Sequence, residues 1–147
     1  ISLKNGAEIN IDAALGSSTV PLIADPGSSL LRKTTGKIEI ENGATFNIGG
    51  NADAHVLLFS WNTGALEGSG AQAVEVKNTV DGNVLIYAQY GAVALSQSAK
   101  VSNVVAHKIT MSNSSEINYT TNLQDILVYD GATSLAPWSI YNLREVP

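Results

Sequence analysis

The chain has 147 residues, which fits one domain, and 44% of them are hydrophobic, which is enough to build a core. Its net charge of −5, with no run of Lys or Arg, argues against a nucleic-acid-binding protein. Cysteine is absent, which excludes disulfides and thiolate zinc sites, and no stretch approaches the ~18 consecutive apolar residues of a membrane span. The chain starts at Ile1 without an initiator Met or a signal peptide, so we expect a processed product or a fragment.

An internal repeat dominates the pattern along the chain. The segments ISLKNGAEINI at 1–11 and IEIENGATFNI at 38–48 share one apolar alternation and start 37 residues apart. The element apolar-x-apolar recurs at intervals of 16 to 19 residues, with starts at Ile1, Val20, Ile38, Leu57, Val74, Val93, Ile109 and Ile126. Such a repeat is typical of a β-solenoid. We therefore predict one all-β domain over residues 1–147, a right-handed parallel β-solenoid (β-helix) of about eight coils of ~18 residues.

Each predicted coil consists of short strands joined by tight corners. Side chains alternate along a strand, so Ile1 and Leu3 are expected to point inward while their neighbours point outward. The Asn-Gly pairs at 5–6 and 42–43 are predicted to form corners, because both residue types tolerate positive φ. A two-residue hairpin turn is the alternative for Asn-Gly.

The ends of the predicted stack are open sheet edges, which attract other chains unless they are covered. The start of the chain carries the strand pattern without a visible cap, so we expect it to meet a partner or missing sequence. The period breaks in residues 137–147, which we predict to fold back as a C-terminal cap. The interface or cap candidates are Ile1, Leu3, Trp138, Ile140 and Leu143. We expect a homo-oligomer or a filament built from such subunits.

The stretch LIYAQYGAVALSQSAKVSNVVAHKITMSNSSEINY at 85–119 carries the most specific pattern of the chain. Residues 93–105 align with 109–121 at a step of 16, so Val93 is expected to stack on Ile109. The positions that carry a likeness are Ile86-Tyr87-Ala88, Val93, Leu95-Ser96, Ala99, Val101, Val104-Val105-Ala106, 108–112, 117–119, Trp138 and 143–146. In these positions the chain resembles the C-terminal β-solenoid domain of minor-pilin-like proteins of type IV pilus and pseudopilus systems. The resemblance implies an extracellular, appendage-linked structural or adhesive role.

The stretch departs from that family's pattern at several corners. Gln89 stands where the family often has Pro, and Gln97 and Asn113 stand where it often has Gly. Ser102-Asn103 replace the usual Gly-containing corner. Bactofilin-like polymerising solenoids share the repeat style and are the second family that the chain resembles.

Residues able to carry chemistry are sparse. His55 with Asp53 is the one candidate metal or catalytic pair, and it lacks a second ligand at close spacing. Glu39 and Glu41 share an outward strand face, near which Glu75 is expected to stack. Solvated carboxylates are favoured here over the paired acids of a glycoside hydrolase. We therefore predict no catalytic residue, no metal and no cofactor.

Exposed aromatic rings indicate an alternative function. Trp61 and Tyr90 lie at turn-like positions and are predicted to be exposed, where aromatic faces can stack on sugar rings. Asn113 and Asn118 fit the Asn-x-Ser/Thr acceptor pattern, which chance often supplies in a chain rich in Asn and Ser. We predict a non-enzymatic extracellular structural or display domain of a pilus-like or other surface filament, self-associating through its edges or faces. The alternative is a surface-polysaccharide-binding adhesin module, and a small carbohydrate-active enzyme comes third.

Overall fold

A computed structural model describes residues 1–4, 6–16, 19–25, 34–41, 43–47, 54–77 and 83–119. These residues form eleven β-strands and one short 3-10 turn at Ala13–Leu15, with no α-helix among them. The strands are β1 (Ser2–Leu3), β2 (Glu8–Asn10), β3 (Thr19–Ala24), β4 (Ile38–Ile40), β5 (Thr45–Asn47), β6 (His55–Ser60), β7 (Gln72–Lys77), β8 (Val84–Ser96), β9 (Lys100–Val101), β10 (Asn103–Met111) and β11 (Glu116–Ile117). The prediction of an all-β chain is therefore confirmed.

Every strand pair in the described ranges is parallel. The main sheet has two arms that share the long strand β8: β1–β4–β7–β8 is the first arm, and β3–β6–β8 is the second. These six strands curl into a half-barrel, and β10 joins as a seventh strand by pairing along β8. Two small sheets, β2–β5 and β9–β11, lie apart from this path.

The predicted stack of eight coils of ~18 residues is wrong, because the strands pair at unequal distances along the chain. Ser2 pairs with Glu39, 37 residues later, and Val20 pairs with Val56, 36 residues later. The offset then falls to 28 residues between β6 and β8, to 19 between β7 and β8, and to 16 between the second half of β8 and β10. Apolar alternation shows that a strand buries one face, but it does not show which strand lies beside it. The elements at Ile1 and Val20 follow one another in sequence, yet they lie in different arms.

The core lies on the concave side of the curled sheet, in columns of aliphatic side chains that run across the strands. Ile38 and Val74 are register partners, Val74 pairs onward with Val93, and all three are 0% exposed. The parallel column of Ile40 and Val76 is equally buried. Burying one such side chain contributes roughly 1.5–3 kcal/mol relative to leaving it exposed. β-Branched residues therefore dominate the strands in the middle of the sheet, where neighbours pack on both sides.

Corners between strands hold residues with positive φ. Gly6 and Gly43 have φ of +71° and +69°, as the Asn-Gly corner prediction requires, while positions 5 and 42 lie outside the described residues. Two later corners place non-glycine residues in the same region: Gln97, Ser98, Asn113 and Ser114, with φ of 55°, 65°, 52° and 60°. The two corners stack, since the backbone N–H of Ser98 donates to the carbonyl of Asn113 at 2.9 Å. Each of these side chains carries a steric cost that glycine would avoid.

Candidate interaction surfaces

A ladder of charged side chains covers the outward face of β1, β4 and β7. Because side chains alternate along a strand, Glu39 and Glu41 point away from the core that Ile38 and Ile40 fill. The register between β4 and β7 sets Glu39 beside Glu75, as the sequence predicted. The charge ladder consists of Lys4, Lys37, Lys77, Glu39, Glu41 and Glu75.

The contacts within the charge ladder cross three strands. Lys77 Nζ lies 2.9 Å from Glu41 Oε1 and 3.1 Å from Glu75 Oε1. Lys37 Nζ donates to Glu75 Oε2 at 2.6 Å. Isolated surface ion pairs contribute little, but a network of alternating signs disfavours any slip that would bring like charges together. The charge ladder therefore stabilises the register of the first arm.

The pKa values of the ladder carboxylates are lowered, which is the opposite of what a general acid requires. Hydrogen bonds from Lys77, and then from Glu39, lower the pKa of Glu41 to about 2. Burial raises the pKa of Glu75, but hydrogen bonds from Lys37 and Lys77 outweigh it, and the net pKa is lowered. A general acid of a glycoside hydrolase needs a raised pKa. The electrostatics of the charge ladder are those of a structural network.

A row of apolar and aromatic side chains crosses the outward face of the second arm. The register aligns Ile23, Phe59, Tyr87 and Val105 on four neighbouring strands, and these residues form the aromatic row. The rings of Phe59 and Tyr87 stack with centroids 5.1 Å apart and planes 11° apart. Trp61 meets Phe59 edge-on, at 5.0 Å and 67°. The row ends in exposed Ile23 and Val105, at 55% and 44%, on the two edge strands of this arm.

The predicted sugar-stacking residues Trp61 and Tyr90 flank one corner. Asn62 is fully buried there, and its Nδ2 donates to the carbonyl of Thr35 at 2.7 Å. The carbonyl of Asn62 lies 3.0 Å from the point where a Cβ on Gly91 would stand. Trp61 and Tyr90 are 41% and 36% exposed. The buried amide therefore holds the corner while the two rings on either side of it face solvent.

The core columns end in exposed side chains at β10. Val93 and Leu95 are 0% and 1% exposed, whereas their register partners Ile109 and Met111 are 42% and 44% exposed. No described strand pairs with the far edge of β10. We call this surface the β10 end; its inward-pointing residues are Val104, Ala106, Ile109 and Met111 on β10, and Ile117 on β11. The β10 end is a section through the hydrophobic core.

The opposite end of the sheet, called here the β1 end, is formed by β1 and β3. Ile1 is 48% exposed and Leu3 is partly buried against the core, so the predicted interface residues at the chain start do lie at an edge. β3 pairs only with β6 among the described strands, and Pro21 lies opposite Leu57 within it. Proline is tolerated in a strand where its missing N–H faces an open edge. The free edge of β3 therefore lacks a hydrogen-bond donor at its centre.

The remaining predicted site residues have different positions. Trp138, Ile140 and Leu143, with the proposed cap at 137–147, lie outside the described residues. His55 begins β6 and is half-buried, while Asp53 also lies outside the described residues. Asn113 and Asn118 are exposed. Within the described ranges, no group of His, Asp and Glu is arranged to hold a metal ion.

Sequence reasoning missed the β10 end as a surface, although it aligned the residues that form it. The predicted step of 16 is confirmed by the register, which pairs Val93 with Ile109 and Val101 with Ile117. Phe59 was also missed. The alternating pattern in HVLLFS places it on the outward face, but only the register shows Tyr87 beside it.

Comparison of the chain with protein-family models, with curated proteins and with solved structures found no match. The likeness to minor-pilin-like proteins therefore stays a prediction from the residues at 85–119. In the part of the chain that the structure describes, no helix has the length and apolar character needed to cross a bilayer.

Proposed function

We propose that this domain is a non-enzymatic structural unit that self-associates through the exposed edges of its sheet, as a building block of a pilus-like or other surface filament. One observation carries the proposal. The buried aliphatic columns of the core continue to Ile109 and Met111, which remain 42% and 44% exposed. Apolar residues in the middle of such a column are normally covered on both sides, so these two favour a partner.

The edge of β10 adds a second driving force. Its nine residues offer a row of backbone donors and acceptors without a described partner strand. Exposed, long and apolar edges of this kind recruit further strands, and native proteins usually protect them. An additional strand would satisfy the backbone groups and cover the apolar column at the same time. Placement of the domain at the cell surface is supported by its resemblance to appendage proteins.

Sedimentation velocity across a wide concentration range tests the proposal. We expect the unmodified chain to associate as its concentration rises, and electron microscopy of concentrated samples to show ordered assemblies. Met111→Lys places a charge in the exposed core column and is expected to weaken association at least tenfold. The matched control Thr110→Lys adds the same charge on the outward face of the same strand and is expected to have a much smaller effect.

Two results would contradict the proposal. The first is a chain that remains monomeric at every concentration. The second is equal weakening by Met111→Lys and Thr110→Lys, because the apolar column would then play no part.

Polysaccharide binding is the second candidate function, and the exposure of Trp61 and Tyr90 at one corner favours it. Trp61 packs edge-on against Phe59, which holds its ring in place without a stacking partner on its face among the described residues. Binding of the chain to an array of surface polysaccharides tests this function. Trp61→Ala should abolish binding, and Val105→Ala, which removes an exposed apolar residue of the same face, should preserve it. Equal binding by both variants would exclude Trp61 as the contact.

A further inference from the structure

The two ends of the sheet differ in their ability to accept another strand. β10 is nine residues long and contains no proline, so its free edge is continuous. The β1 end offers only two residues in β1, and β3 carries Pro21 near its middle. Short edge strands and prolines are devices that discourage edge pairing. Strand addition is therefore favoured at the β10 end and disfavoured at the β1 end.

The alternation of side chains along β10 changes phase at a bend. Its pairing with β8 is irregular between Ala106 and Lys108. Before the bend, Val104 and Ala106 lie over core residues of β8, and after the bend Ile109 and Met111 do so. Two residues rather than one separate Ala106 from Ile109 in sequence. The phase change thus keeps the inward residues on the core side in both halves of the bent strand.

This phase change makes β10 complementary to itself when it runs antiparallel to a copy. If the twofold axis passes between His107 and Lys108, Val104 faces Met111 of the copy and Ala106 faces Ile109. All inward residues then meet inward residues, and outward Val105 faces outward Thr110. Any shift by one residue would set inward residues against outward ones. The strand therefore specifies one antiparallel register.

We propose that two copies of this chain associate tail to tail, with β10 of one copy pairing antiparallel with β10 of the other about this twofold axis. The proposal rests on the proposed function and names its partner, a second copy, and its contact. The axis bisects the bend, so it exchanges the two halves of β10 and keeps both concave sides facing the same way. The two cores then become continuous, and Ile117 of each copy meets the same interface. Isologous twofold contacts of this kind are the most common in soluble oligomers.

This contact is closed. Association through the β10 end alone stops at two copies, whereas stacking of the β10 end on the β1 end would continue without limit. Growth of the tail-to-tail dimer into a filament would need a further contact elsewhere on the molecule. Dimer and open chain are therefore distinguishable by mass as well as by register.

Engineered cysteines test the register, since the chain contains none of its own. Directly opposed residues on neighbouring strands lie close enough for a disulfide. Tail-to-tail pairing predicts a crosslink between Val105→Cys on one full-length copy and Thr110→Cys on another. Stacking of the β10 end on the β1 end would instead continue the first arm, in which Ser2 and Thr110 both lie on the outward face, and predicts a crosslink between Thr110→Cys and Ser2→Cys. All three positions are exposed, so the substitutions should leave the fold intact.

Mixtures of the single variants, oxidised at concentrations where the chain associates, give distinct outcomes. We expect Val105→Cys with Thr110→Cys to give a disulfide-linked dimer as the main species, and each variant alone to give at least tenfold less. A crosslink between Thr110→Cys and Ser2→Cys, or association without the expected crosslink, would overturn the tail-to-tail contact while leaving self-association intact. A monomeric chain in sedimentation would overturn the proposed function as well.

Discussion

Gly91 is the position at which a single methyl group should do the most damage. A Cβ at this site would overlap the Cβ of Ala73 and would stand 3.0 Å from the carbonyl oxygen of Asn62. Neither neighbour can withdraw easily, because Ala73 is 0% exposed and the second obstacle is backbone. Overpacking of a rigid core typically costs 1–3 kcal/mol. We expect Gly91→Ala to reach about 3 kcal/mol, which for a domain of this size lowers the melting temperature by roughly 6–12 °C.

Thermal and urea unfolding, followed by circular dichroism, measure this loss. Gly70→Ala is the matched control, because Gly70 has φ of +69° and nothing within 4 Å of an added Cβ. Its expected cost is about 1 kcal/mol, from backbone conformation alone. A double variant, Gly91→Ala with Ala73→Gly, removes the main overlap and should recover part of the loss, with a coupling energy of about 1 kcal/mol or more.

The outcome that contradicts the steric explanation is a loss in Gly91→Ala no larger than that in Gly70→Ala. Strict additivity in the double variant would contradict it as well, since the two methyl groups would then not be in conflict.

Three further expectations concern the corners, the buried amide and the charge ladder. Ser98→Gly removes the cost of a positive φ and should raise the free energy of unfolding by about 0.5–1 kcal/mol, whereas Ser96→Gly, within β8, should lower it; gains or losses in both would contradict the corner explanation. Asn62→Ala removes two buried hydrogen bonds and should cost about 2–4 kcal/mol in urea unfolding, against a small effect of Asn10→Ala at an exposed site. The pKa of Glu41 is lowered to about 2, so its stabilisation is present above the unfolded value near 4.5 and is lost as pH falls toward 2. Glu41→Gln should therefore flatten the decline of the urea midpoint between neutral and acidic pH, and parallel declines would show that the charge contributes nothing.

Much of the candidate surface could be predicted because alternation along a strand is a local property. The alternation identified Ile38 and Ile40 as inward and Glu39 as outward, and the step of 16 paired Val93 with Ile109. These predictions needed only the geometry of one strand and the likeness of two neighbouring segments. The residues at positive φ without glycine could not be found this way, because Gln97 and Ser98 give no local signal for that conformation.

The sequence by itself determined that the chain is all-β and which side of each strand is apolar, because burial of one face imposes a period of two on the side chains. Only the tertiary structure decided which strands are neighbours. Pairing depends on how far each connection travels before the chain returns, and a repeated apolar motif carries no information about that distance. The unequal offsets of 37, 28 and 16 residues therefore replaced the uniform coil expected from the repeat. The same register decided that the core column ends in exposed Ile109 and Met111, where no described strand covers it.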